Sequence, residues 1–317
     1  MKRIFFIILI SFLAVAIGSI FYFRWQINSP AGKSEEKAEV KIADGQSSWQ
    51  VANDLKKNDL ISNKVVFRVY LKIYKKTLKS GDYLITKNLS IIQVAEILNN
   101  RGHQVIKITI PEGWRKEQIA VYLSKNAGIS SDDFLSLAKN SEGKLFPDTY
   151  FLTDEPTAEE VFEKMTENYQ NRISGLSVDD EILAVASIVE HEAAGDADRA
   201  TIAGVFYNRL KIGMKLESDV TSQYQKDTNN FAKVGVLNYK FWQPLSSGET
   251  RKIVGPFNTY QISGLPPAPI CNPGLASIKA TLSPENHNYY YFLYGKDGIL
   301  RLATDKAGHD ENIGKYL

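Results

Sequence analysis

The sequence predicts an α+β protein: an N-terminal transmembrane helix, a small α/β part, and a larger mixed α+β half. Three observations carry that reading. Residues Ile4 to Phe23 run for twenty positions without a charge and are mainly apolar. A segment that reads as strand, acidic-Gly turn, amphipathic helix and second short helix occurs twice, offset by 68 residues. Downstream, an apolar helix around 182–194, further amphipathic helices and an aromatic strand at 289–294 mix both kinds of element.

The chain of 317 residues has material for two domains or one large one. Its 38 Lys and Arg are matched by 36 Asp and Glu, so no electrostatic footprint for nucleic acid is present. Twenty apolar residues are just enough to cross a bilayer as a helix. The run is longer than a signal-peptide core, and no small-x-small cleavage site follows it closely, which favours an uncleaved anchor. Lys2 and Arg3 argue for an inside N-terminus, while Arg24, Lys33, Lys37 and Lys41 flank the far side, so the basic-residue count alone does not orient the span. A short basic head before an apolar run reads as a signal-anchor, which puts the rest of the chain outside. The division is thus a cytoplasmic tail over 1–3, the span over 4–23 and a linker over 24–40. Asn28 to Val40 is polar and reads as a tether. The solitary Cys271 makes no internal disulfide.

In the repeat, Ile42 to Gly45 matches Ile110 to Gly113. Further on, Gln50, Ala52, Leu55, Lys57, Asn58, Ile61 and Ser62 match Gln118, Ala120, Leu123, Lys125, Asn126, Ile129 and Ser130. Two copies are too few for a solenoid and suggest duplicated strand-helix-helix units sharing a small sheet. Between them, Gly81 to Thr86 reads as a strand, and Ser90 can cap a helix through Val94 and Leu98. Asp44 and Glu112 lie in turns entering helices, a placement that the helix dipole explains without chemistry. Asp148, beside Pro147, reads as a turn residue flanked by aromatics that could wall a groove. A helix follows over 159–171.

The stretch Ile182 to Ala194 is apolar or small on every face for its first eight residues, so it is a buried helix. It delivers carboxylates at Glu190 and Glu192, roughly 200° apart and therefore not a cooperating pair. Glu190 shares its face with Leu183, Ala186, Ser187, Ala193 and Ala194, mostly small side chains that read as room for a ligand. A carboxyl at the end of a buried helix, beside a space, is a candidate acid because desolvation raises its pKa. The competing reading leaves both glutamates exposed at a fraying end.

A helix over 200–211 bears Asn208 and Arg209 near its end, where an arginine suits the dipole. Leu216 to Asp219, with Thr221 and Tyr224, form a polar cluster that either orients ligand hydroxyls or caps the next turn. Residues 227–250 carry no chemical signature. Asn258, Thr259 and Tyr260 precede the stretch Gly264 to Gly274, whose three prolines within Pro266 to Pro269 make it extended and stiff. Asn272 can cap a helix that starts at Pro273 and runs through Leu275, Ile278 and Leu282. His191-Glu192 lacks the second histidine of a zincin helix, and neither a Gly-x-Ser-x-Gly elbow nor a phosphate loop occurs. No metal or cofactor is predicted.

The ordered motifs Leu-Phe-Pro-Asp-Thr-Tyr150, Ala-Ser-Ile-Val-Glu-His-Glu192, Ile-Ala-Gly-Val-Phe-Tyr-Asn-Arg209, Leu-Glu-Ser-Asp219 and Asn-Thr-Tyr260, closing with Gly-Leu-Pro-Pro-Ala-Pro-Ile-Cys-Asn-Pro-Gly274, resemble the endolytic murein transglycosylases (MltG, YceG-like). The likeness covers essentially the whole chain. It implies a single-pass protein of the bacterial cytoplasmic membrane, with a LysM-like subdomain over 41–108 and a catalytic domain over 109–317 on the outer side. It further implies cleavage of the β-1,4 MurNAc-GlcNAc bond within nascent peptidoglycan glycan strands, leaving a 1,6-anhydroMurNAc end and terminating elongation, with peptidoglycan synthases as partners. The essential acid is then the first glutamate, Glu190. Glu192, Asn208, Ser218, Asp219, Thr221, Tyr224, Asn258, Thr259 and Tyr260 are the expected substrate-side residues. Three departures from the family pattern stand out: Val220 in place of Pro, Ala268 in place of Gly, and Gly298 to Leu302 in place of a Gly-His-Thr-Phe segment. His309 sits where a later family histidine would.

The rival function is a membrane-anchored peptidoglycan-binding protein without catalysis. The first reading expects Glu190→Gln to abolish cleavage and Glu192→Gln to cost less. It also expects Asn258 and Tyr260 to line a glycan groove facing Glu190.

Overall fold

The computed structural model describes residues 2–100, 105–153 and 155–317, without the side chains at 2–5, 7–10 and 14. Among the described residues it is a mixed α+β protein of twelve helices and three two-stranded sheets. It divides into two units, one of Met1–Lys107 with Phe151–Glu155 and one of Ile108–Tyr150 with Pro156–Leu317.

The first unit opens with helix α1 (Lys2–Asn28), followed by β1 (Lys37–Ile42), α2 (Ser48–Lys57), α3 (Lys64–Ile73), β2 (Gly81–Thr86) and α4 (Ile91–Asn100). β1 and β2 pair antiparallel, Lys37 opposite Thr86 and Ile42 opposite Gly81. Alternation turns Val40, Ile42, Tyr83 and Ile85 into a core shared with Leu55, Phe67 and Leu98. Ser47 and Gln50 close a capping box at the start of α2, and Asn63 caps α3. The last turn of α1 belongs to this core through Ile27, with Phe23 packed against it.

The predicted span, 4–23, lies within α1. Among the described residues no helix is long and apolar enough to cross a membrane, and much of the span's first half lies outside the described side chains. The stretch read as a tether is held in part. Ala31 and Gly32 donate to the carbonyls of Leu89 and Lys87, and residues from Lys37 onward are already in β1. Residues 101–104, inside the expected LysM-like segment, lie outside the described residues.

The chain continues through β3 (Ile106–Thr109), α5 (Lys116–Ala127), α6 (Ser131–Leu137), β4 (Thr149–Leu152), α7 (Ala158–Ile173), α8 (Asp180–Glu192) and α9 (Asp196–Lys211). It ends with α10 (Asp219–Val234), α11 (Leu275–Leu282), β5 (Tyr291–Tyr294), β6 (Leu300–Ala303) and α12 (Lys306–Tyr316). The repeat is visible in local structure. Gly45 and Gly113, matched in sequence, have φ of 74° and 77°, the left-handed conformation that a glycine adopts at least cost. Gln118 accepts from the backbone of Arg115 as Gln50 does from Ser47, but an arginine cannot return the bond. Among the described residues the copies do not share a sheet: β1 pairs with β2, and β3 pairs with β4.

In the second unit α8 is central. Leu183 to Val189 are all buried, as an all-round apolar helix requires. Its partners include α9 and α11. α9 approaches the 285–287 segment closely because Gly204 has no side chain, a Cβ there standing 2.5 Å from the Glu285 carbonyl. α10 reaches Val234, so the first part of the region without a chemical signature is helix.

Candidate active site

The two glutamates of α8 do point to different surroundings, and among the described residues Glu192 lines a cavity. A cavity of about 500 Å³ is lined by Glu192, Ser218, Asp219 and Tyr260, with the β5 aromatics and the α12 residue His309 completing it. That volume is within the range of small-ligand sites. Ser218 Oγ donates to Glu192 Oε1 at 2.6 Å. Burial pushes the Glu192 carboxyl up to about 7; the Ser218 bond opposes the rise and Asp219 adds to it. Tyr260 donates to Asp219 Oδ1 at 2.7 Å, and burial together with that carboxylate holds its phenol far above its usual value.

The residues around this group form a frame and not a contact surface. Thr221 and Thr259 share a 2.8 Å hydroxyl bond, and the Ser218 N–H donates to Thr259 Oγ1 at 3.0 Å. Asn258 is fully buried and spends all its polar capacity internally. It donates to Thr250 O and Ile253 O, both at 2.6 Å, and accepts from Ser222 Oγ and the Tyr260 N–H. Asn258, Thr221 and Thr259, expected at the substrate, therefore set the positions of Ser218 and Tyr260. Glu217, entering α10, is a non-glycine residue at φ 45°, local strain at the cavity edge.

Two other expected contacts also serve packing. Asn208 donates to His287 O at 2.8 Å and Tyr289 O at 3.0 Å, pinning the approach to β5. The Tyr224 ring lies 3.8 Å from the Arg115 guanidinium. Arg209, assigned by the sequence to the helix dipole, is buried and donates to Tyr290 O at 2.5 Å and Leu216 O at 2.6 Å.

Glu190 is enclosed. Arg199 Nη2 donates to its Oε1 at 3.0 Å and the Gly274 N–H to its Oε2 at 2.9 Å, leaving its side chain 6% exposed. Two of the residues read as room for a ligand belong to a docking face: Leu183 and Ala186 pack against Leu275, Ile278 and Leu282 of α11. Glu112, given no chemistry by the sequence, stands 3.9 Å from Arg199, its carboxyl raised by burial and by Glu190. His191 Nε2 lies 2.9 Å from Gly113 O, so that nitrogen carries the proton, and its ring lies tilted against Trp242 with centroids 4.0 Å apart.

The proline-rich stretch is fastened by side chains. Ile270 N–H donates to Ser187 Oγ, and Asn272 does not cap α11 but donates to Trp114 O and Glu142 Oε1 and accepts from the Leu145 N–H. Pro267 and Pro269 line a separate cavity of about 290 Å³ with Glu142. Asp148 is ion-paired with Arg172 at 2.7 Å and is absent from the larger cavity.

His309 is brought into that cavity, stacked on Tyr291, with its Nδ1 buried and without a hydrogen-bond partner among the described residues. Sequence reasoning missed Arg199, Arg251 and the β5 aromatics. Only the density of tyrosines at 289–294 signalled any of them.

Comparison with known proteins gives one consistent result. A sequence model of the YceG-like family matches residues 40–315. The endolytic murein transglycosylase of Bacillus subtilis (strain 168) is 30% identical over 95% of this chain and 91% of its own. That of Streptococcus pneumoniae serotype 2 is 27% identical over 96% of this chain, which spans 64% of it. A crystal structure of a yceG-like protein from Listeria monocytogenes superposes with a TM-score of 0.53 at 28% identity, covering 88% of this chain and 99% of the other.

Proposed function

The chain belongs to the YceG-like family, and on that premise we propose that it is a lytic murein transglycosylase; against the resemblance, which implies Glu190 as the acid, the cavity beside Glu192 leads us to assign that role to Glu192. Its substrate is the glycan strand of peptidoglycan, cut internally at the MurNAc-GlcNAc bond. The observation that carries the assignment is a partly buried carboxyl on the wall of the cavity shared with Ser218, Asp219 and Tyr260, raised to about 7 and so able to hold a proton at neutral pH.

The reaction needs one such group. Protonated Glu192 gives its proton to the glycosidic oxygen as the bond to the muramoyl C1 breaks. The resulting carboxylate then takes the proton of the muramoyl C6 hydroxyl while that oxygen bonds to C1. The nucleophile is part of the substrate, water is not consumed, and the second carboxylate of ordinary glycosidases is not required. Ser218 fixes the rotamer of the acid, while Asp219, Tyr260 and the His309 ring line the space for sugar hydroxyls. Glu190 is a structural partner of Arg199 that ties α8 to the start of α11.

α1 is the membrane anchor in this reading, with the second unit outside the cytoplasmic membrane where its substrate lies. At 1.5 Å per residue its 27 residues extend about 40 Å, more than a hydrocarbon core. Phe12, Leu13, Val15, Ile20 and Phe21 are exposed along it, and Tyr22 and Trp25 follow at the level of an interfacial aromatic belt.

Digestion of purified peptidoglycan followed by mass analysis tests the function. Products ending in 1,6-anhydromuramoyl are expected. Reducing ends carrying an added water would mean hydrolysis, and intact strands that co-sediment with the protein would mean binding without catalysis. Two kinetic expectations test the residue assignment. kcat/KM should fall about tenfold per pH unit above pH 7, as the Glu192 proton is lost. Glu190→Gln should keep that break point and measurable turnover, with stability reduced by about 1–3 kcal/mol because the Arg199 charge loses its nearest carboxylate. A dead Glu190→Gln protein that remains folded would reverse the assignment.

A further inference from the structure

We infer that the exposed face of α3 rests on an anionic lipid surface, so that the first unit lies against the membrane in which α1 is embedded. The inference rests on the anchor reading of α1, and its test separates the two.

α3 buries Val66, Phe67, Tyr70 and Leu71 and leaves the rest of its circumference to solvent. The exposed side alternates basic and apolar residues: Lys64 and Val65, Arg68 and Val69, Lys72 and Ile73. Val65 and Ile73 are 61% and 59% exposed, unusually open for β-branched apolar side chains. Residues 60–81 contain six basic residues and no acidic one. An apolar stripe with lysine and arginine along its border is the pattern of a helix lying in the headgroup region, where long basic side chains reach the phosphates. A glycan strand would call for polar and aromatic contacts and gives no reason for three exposed aliphatic residues one turn apart.

The position of α3 relative to α1 supplies the second argument. The apolar run of α1 ends at Phe23, which packs against the core of the first unit. One turn later Gln26 accepts a 3.0 Å hydrogen bond from Ser62, two residues before α3 begins. α3 also packs directly against α1. Its first turn is therefore within about one helical pitch, some 5 Å along α1, of the point where the span leaves the hydrocarbon. A basic-apolar face so near that boundary has the lipid surface as its nearest large partner.

The test uses the full chain in nanodiscs of phosphatidylcholine, with or without phosphatidylglycerol, carrying a nitroxide at Val69→Cys. Cys271 is buried and does not compete for the label. Phe12→Cys on α1 and Ile299→Cys on the second unit are the reference sites, both exposed. We expect the Val69 label to meet oxygen more than aqueous nickel chelate in anionic discs, as the Phe12 label does, while the Ile299 label stays aqueous. Neutralising Arg68 and Lys72 together, as Arg68→Gln and Lys72→Gln, should shift the docked-to-undocked ratio about 30-fold toward water. A Val69 label in water beside a Phe12 label in lipid overturns the docking and keeps the anchor. Both labels in water overturn the two together. Shielding of Val69 with dipolar broadening that dilution by unlabelled protein removes would name a second copy as the occupant. Shielding only on adding glycan strands would name the substrate. Either of these results overturns the lipid assignment.

Discussion

Glu192→Gln is expected to lose cleavage and to gain stability at the same time. The amide keeps the shape of the carboxyl and still accepts from Ser218, but it has no proton to give. A positioned acid contributes on the order of 10²–10⁴ in rate, so the turnover loss should fall in that range while glycan binding persists. The stability effect follows from the raised pKa. Between about 4.5, the ordinary value, and about 7 the folded protein binds a proton that the unfolded chain has released. Stability therefore falls as pH rises through that window, and above pH 7 the folded state carries the full cost of a buried carboxylate. Removing the charge should return up to about 3 kcal/mol at pH 8 and almost nothing at pH 4. Urea denaturation of parent and variant at both pH values measures it. An inactive variant whose midpoint does not move with pH relative to the parent would mean that Glu192 is ionised in the folded state, and the acid must be sought elsewhere. The combined outcome is the stability-function exchange that active-site groups commonly show.

Much of the fold was legible because the signals are local. Ser90 caps α4 by accepting from the Gln93 N–H, within reach of its own sequence neighbours, and the two turn glycines announce themselves by spacing. The buried character of α8 follows from composition alone. The helix wheel also separates Glu190 from Glu192 correctly. What it cannot say is which of the two faces is open, because that depends on a segment more than eighty residues away. Leu183 and Ala186 were read as leaving space, yet small side chains equally permit another helix to pack closely, and α11 does so.

The same limit explains Asn258. As a polar residue in a run of polar and aromatic neighbours it is indistinguishable in sequence from a ligand contact. In the structure it satisfies four partners drawn from residues 222 to 260 and does not line the cavity beside Glu192. Arg199 was invisible for the opposite reason: at the start of α9 it could only be read as a surface charge, and its carboxylate partners at Glu112 and Glu190 come together through tertiary packing alone.

Arg115→Ala should be the most destabilising of the substitutions considered. Arg115 is fully buried at the entry to α5, and its Nε donates to Glu117 at 2.6 Å. Its Nη1 donates to Tyr224 O and its Nη2 to Thr228 Oγ1, while the guanidinium lies over the Tyr224 ring. One side chain thus fastens α5 to α10, the helix that begins with Asp219 at the cavity. Truncation leaves Glu117 buried without a counter-charge, next to Glu142, whose carboxyl burial and Glu117 already push up. A loss of about 3–5 kcal/mol is expected. Arg115→Lys should lose somewhat less, since it keeps the charge but neither the planar stacking nor the forked donors. The double variant Arg115→Met with Glu117→Leu should recover most of the loss, because it removes both charges instead of stranding one. Chemical denaturation of the three variants separates the contributions. If Arg115→Ala cost less than 1 kcal/mol, or the double variant were no better than the single one, the ion pair would not be what holds α10 in place.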